Sequence, residues 1–189
     1  MSNSTQIDAA KYISRLKDSL NNLDLEKMDH AVGLIEEAWR AGRQIITMGN
    51  GGSALTALHF INDWNKSVYL SSQIPFRGRS LCDNVGLIMS YSNDISYEDV
   101  FIEQLKNILQ DNDLVIAISG SGNSENVIRA VDYANANKAI TLGLCGYDGG
   151  KLKDIAQHTV WANVNDMQIC EDVHFFFGHI VMQKLCGSQ

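Results

Sequence analysis

The feature that most constrains the fold is a repeated order: a short apolar run, then a polar glycine-rich turn, then a helical stretch. Residues 47–53 read TMGNGGS and residues 117–124 read AISGSGNS. The run DLVIAIS at 113–119 is continuously apolar from Leu114 to Ile118, which is typical of a strand buried on both faces of a parallel sheet. This order predicts an α/β fold in which helices cover a parallel sheet.

The remaining predicted elements follow the same alternation along the chain. The predicted strands are Gln44–Met48, Arg79–Cys82, Asp113–Ser119, Ala139–Cys145 and Thr159–Val164. The predicted helices after Gly42 are Ser53–Lys66, Asn84–Ser90, Tyr97–Leu109, Ser124–Asn137, Gly150–Ala156 and Gln168–Leu185. The chain has only one proline and no linker-like change in composition. We therefore predict a single domain over 1–189, with an N-terminal helical region at 1–42 and an α/β core with a C-terminal helix at 43–189.

The first forty residues have the periodicity of helices. Apolar residues recur at near-helical spacing at Ile7, Ile13, Leu16 and Leu20. Asp24 is positioned to cap a second helix, which Gly42 ends. The rest of a small domain would leave part of the first apolar stripe uncovered.

Charge, cysteine spacing and hydropathy exclude several classes of protein. The formal net charge of −7 argues against direct nucleic-acid binding, because phosphate contacts along a nucleic acid need a basic face. The four cysteines show no C-x-x-C spacing, so neither a zinc knuckle nor a redox pair is indicated. No window of 18 residues is wholly apolar, and the N-terminus lacks a signal-like apolar stretch. We expect a reduced, cytoplasmic protein with no membrane segment.

The two glycine-rich turns are candidates for an anion-binding site. In an open parallel sheet, ligands bind outside the carboxyl ends of the strands, where both turns are predicted to lie. A helix that begins after such a turn offers unpaired N–H groups and a partial positive charge. The second turn adds the hydroxyls of Ser119, Ser121 and Ser124. The alternative is a plain strand-to-helix connection in which Ser124 caps the helix. The residues GNGGSA lack the full dinucleotide-binding spacing, and no P-loop motif occurs.

Histidines and carboxylates are spaced so that they could share faces of two helices. His59 and Asp63 are four residues apart on one predicted helix. Glu171 and His179 are eight apart on the last helix, about 12 Å along its axis, and His174 lies one turn from Glu171. Such a set suits zinc or a similar metal, although from spacing alone each histidine is more often an ordinary core or surface residue.

Taken together, these motifs resemble a known family. The motifs are GNGGSxxxxxHF at 49–60, ND at 93–94, SGSGNS at 119–124, GYDGG at 146–150 and EDVHxxxxH at 171–179. Their order and spacing are similar to those of the SIS-domain sugar-phosphate isomerases, and among them the phosphoheptose (sedoheptulose 7-phosphate) isomerases. The resemblance covers nearly the whole chain. It implies a five-stranded parallel sheet flanked by helices and a homotetramer with active sites between subunits.

The resemblance also implies roles for particular residues in a ketose–aldose isomerisation through an enediol. The phosphate would be held by Ser119, Gly120, Ser121 and Ser124. The sugar would contact Asn50, Gly51, Gly52, Ser53, Asn93, Asp94 and Glu171. Zinc would be bound by His59, Asp63, Glu171 and His179. Asp63 would be the base and His179 the acid, with Glu171 as a rival base. Two positions depart from the family pattern, since Asp63 replaces a glutamate and Glu171 replaces a glutamine.

A non-catalytic binding protein is the competing hypothesis. The same fold and motifs occur in DiaA-type proteins, which bind the replication initiator DnaA, and in sugar-phosphate sensors. Those proteins need no catalytic cluster. The joint presence of His59, Asp63, Glu171 and His179 therefore favours the enzyme.

Overall fold

The structure is a computed structural model that describes residues 8–187. The strands are β1 (Ile45–Gly49), β2 (Gly78–Ser80), β3 (Leu114–Ser119), β4 (Ile140–Cys145) and β5 (His158–Trp161). The helices are α1 (Ala9–Asn21), α2 (Leu25–Arg40), α3 (Gly52–Asp63), α4 (Tyr69–Ser72), α5 (Val85–Asp94), α6 (Val100–Ile108), α7 (Glu125–Ala136), α8 (Gly150–Ile155) and α9 (Met167–Cys186). A π-helical turn at Trp64–Val68 joins α3 to α4, and a 3₁₀ turn at Tyr97–Asp99 precedes α6.

The five strands form one parallel sheet in the order β2-β1-β3-β4-β5. All residues of β1 and β3 are buried, which confirms the prediction of strands covered on both faces. The chain runs from β1 outward to β2 and then returns to the other side of β1 as β3. The connections therefore leave β1 and β3 in opposite directions, which makes the gap between these two strands the topological switch point of the sheet. The predicted α/β class and the parallel sheet are confirmed.

Several boundaries differ from the predictions for local reasons. The helix expected to end at Lys66 continues to Ser72 and ends at Gln73, whose φ of 59° is left-handed. The strand expected at Arg79–Cys82 is Gly78–Ser80; two residues beyond it, the Cys82 N–H donates to the Ser80 hydroxyl rather than to a neighbouring strand. The last strand ends at Trp161 rather than Val164.

The N-terminal helices differ in how well the domain covers them. The Asp24 carboxylate accepts the Lys27 N–H, so the predicted cap of α2 is confirmed. Helix α2 buries a full face against the sheet, whereas Ser19 is the only buried residue of α1 and Ile13 is 49% exposed. Ile7, the first residue of the predicted stripe, lies outside the described residues. Within 8–187, no helix is both long and apolar enough to cross a membrane.

Candidate functional site

Both glycine-rich turns lie at the switch point of the sheet. The first turn follows β1 and leads into α3, and the second follows β3 and leads into α7. Since β1 and β3 pair directly from Ile45↔Leu114 to Gly49↔Ile118, the two turns leave neighbouring strand ends. The N-termini of two helices therefore face one crevice, which is where open α/β sheets bind ligands.

The hydroxyls of the second turn contact groups within the turn and do not cap α7. Ser124 occupies the N-cap position of α7 as predicted, but its side chain makes no capping hydrogen bond. Its hydroxyl oxygen instead lies 3.2 Å from that of Ser119. The Ser121 hydroxyl accepts the N–H of Asn123 at 3.2 Å. The capping hydrogen bond expected of Ser124 is therefore absent.

A third turn, at Gly146–Gly150, packs against the second turn, and the helix that follows it donates hydrogen bonds to the second turn. The Leu152 N–H donates to the Gly122 carbonyl at 2.8 Å, and the Lys151 N–H donates to the Asn123 side chain at 3.0 Å. Gly122 has a φ of +67°, and a Cβ there would overlap the carbonyl of Gly149. Glycine is thus required where the two turns touch. An open cleft of about 640 Å³ lies beside Ser121 and Asn123.

The first turn brings together backbone, amide and carboxylate groups. Gly51 is the N-cap of α3 with a φ of +53°, and Ser53 is buried. A Cβ on Gly52 would overlap the Glu171 carboxylate of α9, so that carboxylate lies against the first turn of α3. Asn50 forms a reciprocal amide pair with Asn126 of α7. Both turns are therefore tied to one another by side chains.

The predicted sugar-contacting pair Asn93 and Asp94 ends α5. Both side chains are exposed, and the Asn93 amide donates to the Asp94 carboxylate at 2.8 Å. The segment that follows them reaches the first turn through Tyr97, whose hydroxyl donates to Asn50 at 2.8 Å. Sequence reasoning missed both Tyr97 and Asn126, because nothing in their spacing distinguishes them from ordinary helix residues.

Three potential metal ligands converge on the outer face of α3 and α9. The Nε2 atom of His59 lies 3.1 Å from Nε2 of His179 and 3.2 Å from Oδ2 of Asp63. Two ligand atoms of a tetrahedral zinc ion, each about 2.0–2.1 Å from the metal, are separated by about 3.3 Å. The two separations from His59 match that edge length, and all three ligand atoms lie within 4.8 Å of one another, which is compatible with one metal ion between them.

Close packing of the two helices holds this cluster in place. Gly178, which precedes His179, has no room for a Cβ because the Phe60 ring lies against it. The Trp64 indole N–H donates to the Gly178 carbonyl at 3.0 Å. Phe60 and Trp64 are each adjacent in the chain to a cluster residue, His59 and Asp63, and both are fully buried. The apolar core of α3 thus fixes the polar face that carries the donors.

The structure does not bring the fourth predicted ligand to the cluster. Glu171 lies eight residues before His179, about 12 Å along α9. Its carboxylate contacts Gly52, at the other end of α3 from Asp63. A cluster of three protein ligands is the pattern of catalytic zinc sites, which keep one position open for substrate or water.

His174 is excluded from any exposed metal cluster by its burial. Its side chain is 0% exposed, and neither ring nitrogen has a hydrogen-bond partner. Burial lowers the pKa of His174 from 6.5 to about 4, against a smaller opposing effect of the Cys145 backbone. The imidazole is therefore neutral and belongs to the core between α9 and the sheet.

Comparisons with known proteins identify relatives of this chain in sequence and in fold. The SIS domain family model matches residues 10–146. A probable phosphoheptose isomerase from Thermoplasma acidophilum is 31% identical over 175 residues, which cover 93% of this chain and 96% of that protein. A phosphoheptose isomerase from Buchnera aphidicola is 32% identical over 178 residues, covering 94% of this chain and 85% of that protein. The phosphoheptose isomerase structure from Francisella tularensis has a TM-score of 0.87 at 21% identity, covering 98% of both chains.

The fold and the site thus define the class, that of the SIS-domain proteins. Within it, the chain belongs to the phosphoheptose isomerase family of aldose–ketose isomerases.

Proposed function

We propose that this chain interconverts sedoheptulose 7-phosphate and a heptose 7-phosphate through an enediol. The observation that carries the proposal is that two features occur together. Glycine-rich turns lie at the switch point of the sheet, and a His59–Asp63–His179 cluster lies on the adjoining helices. The first feature suits a phosphate, and the second suits proton transfer beside a carbonyl. The relatives named phosphoheptose isomerases support the choice of a heptose phosphate as substrate.

In this proposal the phosphate is held without a dedicated cation. Ser119, Ser121 and Ser124 offer hydroxyls, and the first turn of α7 offers N–H groups and the positive end of the helix dipole. Arg129, on the same helix, is already paired with Asp99 and Glu125.

The proton transfers are carried out by one histidine, His179, and by a carboxylate of the site. We assign His179 as the acid and Asp63 as the base, with Glu171 as the rival base. Glu171 lies against the first glycine-rich turn, where the sugar is proposed to bind. Zinc held by His59, Asp63 and His179 would supply Lewis-acid polarisation of the carbonyl. Measuring turnover together with bound metal in Asp63→Asn and Glu171→Gln separates the two bases, because the variant that lacks the true base loses turnover even when it retains the metal.

The site is proposed to be completed in a homotetramer. Leu55 is 68% exposed, and Phe175 and Phe176 are 37% and 43% exposed, all on α3 and α9 beside the cluster. With the partly uncovered α1, these side chains give the protomer apolar surface that association would bury. Light scattering should give the mass of four chains, whereas a monomer of 20.9 kDa at micromolar concentration would contradict the shared site.

The test of the function is a screen of C5 to C7 ketose phosphates for aldose formation, with and without added zinc. We expect conversion of the seven-carbon substrate and stimulation by the metal. Sugar-phosphate binding without conversion of any substrate would instead support the sensor hypothesis, which requires no cluster.

A further inference from the structure

Asn50 and Asn126 join the two glycine-rich turns through a two-way amide contact. Asn50 Nδ2 donates to Asn126 Oδ1 at 2.8 Å, and Asn126 Nδ2 donates to Asn50 Oδ1 at 2.9 Å. Asn50 directly follows β1, and Asn126 is the second residue of α7. Asn126 is only 3% exposed, so its side chain is not itself available to a ligand.

A backbone hydrogen bond determines which end of each side-chain amide in this pair is the oxygen and which is the NH₂ group. The Val127 N–H donates to Asn126 Oδ1 at 2.9 Å, which requires an oxygen at that position. The other end of the Asn126 amide must then be the NH₂ group, and it faces Asn50 Oδ1. The Tyr97 hydroxyl also donates to Asn50 Oδ1 at 2.8 Å. The orientation of Asn50 therefore follows from the network rather than from its own environment.

The Asn50 side chain has one hydrogen-bond donor, and no acceptor, that the network leaves unused. Its carbonyl oxygen has two lone pairs, and these accept from Asn126 and Tyr97. Its NH₂ group has two protons, and one goes to Asn126. A single N–H remains, so Asn50 can donate to a ligand but cannot accept from one.

We propose that Asn126 and Tyr97 are positioning residues that make Asn50 an obligate hydrogen-bond donor to an oxygen of the sugar phosphate. This inference rests on the proposed function. Asn50 then recognises an acceptor, such as a carbonyl, a hydroxyl lone pair or a developing enediolate oxygen. An ammonium group at the same position is rejected, because it only donates. The network also ties the orientation of the sugar-contacting turn to the phosphate-binding turn.

The test is a double-mutant cycle on turnover of sedoheptulose 7-phosphate. Tyr97→Phe removes one neutral hydrogen bond and should lower kcat/KM by about three- to tenfold. In an Asn50→Ala background the same change should have no further effect, because Tyr97 acts through Asn50. Binding of inorganic phosphate, measured by calorimetry, should be unchanged by Tyr97→Phe. Additive effects in the cycle, or equal losses for phosphate and sugar phosphate, would overturn the proposal.

Two Asn→Asp variants on the same helix separate the positioning of Asn50 from general structural damage. Asn126→Asp keeps the acceptor for Val127 but turns the donor that faces Asn50 into an acceptor, so it should lower kcat/KM more than Tyr97→Phe. Asn135, on the same helix, is tied by comparable amide contacts to Ile155 and Thr141. Asn135→Asp should leave kcat/KM within about twofold of wild type. An equal loss of kcat/KM in both Asn→Asp variants would contradict a role through Asn50.

A ligand-free measurement keeps this inference distinct from the proposed function. If the wild-type protein converts no ketose phosphate, the proposed function fails on that result alone. The network is then judged from the side-chain amide proton resonances of Asn50 in the free protein. Tyr97→Phe and Asn126→Asp should each shift them, and unchanged resonances in both variants would show that the network is absent.

Discussion

Replacing the buried imidazole of His174 should make the protein more resistant to acid. His174 is 0% exposed with no partner for either ring nitrogen, and burial lowers its pKa from 6.5 to about 4. The unfolded chain therefore binds a proton at this residue between pH 6.5 and 4, while the folded chain does not. Because the unfolded state binds more protons in that window, the free energy of unfolding must fall as the pH decreases.

The size of the effect follows from the two pKa values. At about 1.4 kcal/mol per pH unit, the full difference from 6.5 to about 4 is worth about 3–4 kcal/mol of stability. This loss is absent above pH 7 and complete below pH 4. Leucine is similar in volume to histidine, carries no charge and leaves no unpaired nitrogen. His174→Leu should therefore be at least as stable as wild type at pH 7 and should lose less stability at pH 4.5.

Urea unfolding at several pH values, at one protein concentration, measures the difference. Subtracting the two curves cancels the carboxylates that both proteins share. His158, whose pKa is lowered by partial burial and then by His30, provides a control on the same titration. His158→Gln should change the acid limb in the same direction but less. Parallel curves for wild type and His174→Leu between pH 4 and 7 would refute the reasoning.

Two further predictions concern the phosphate turn and the packing under the cluster. The double change of Ser119 and Ser124 to alanine should weaken sugar-phosphate binding at least about tenfold by calorimetry, since each charge-assisted hydrogen bond is worth roughly 1.5–3 kcal/mol; unchanged affinity would remove this role. Gly178→Ala should lower both the thermal stability and the amount of bound zinc. The new methyl group overlaps Phe60 and pushes α3 and α9 apart, which should cost about 1–3 kcal/mol of folding free energy. The control Gly33→Ala, on α2 with no atom within 4 Å, should raise stability by up to about 1 kcal/mol, and equal behaviour of the two variants would contradict the packing argument.

Strand identity was predictable because burial on both faces leaves a direct mark on composition. The run LVIAIS of β3 is apolar at every position but its last, and the sheet does bury it on both sides. The continuation of α3 through the π-helical turn at Trp64–Val68 was not predictable, because a single wider turn leaves no mark in the hydrophobic periodicity. The left-handed end at Gln73 carries no glycine to mark it.

The parts of the candidate site that lie on one helix were predictable from the sequence. The contacts between residues of two different helices were less predictable. The four-residue spacing of His59 and Asp63 places both on one face of α3, as observed. The depth at which α9 crosses α3 decides that His179 joins them while Glu171 lies against Gly52, and spacing alone holds no information on that depth. Tyr97 and Asn126 became visible only through their contacts with Asn50.

The most direct test of the account is to follow sedoheptulose 7-phosphate by NMR with zinc supplied, using wild type and His179→Ala. Wild type should form an aldose phosphate. His179→Ala should lose both bound metal and turnover, yet still bind inorganic phosphate, because the turn proposed to bind phosphate joins β3 to α7 and does not include α9. No aldose from the wild-type protein, or normal turnover with full metal content in His179→Ala, would contradict the account.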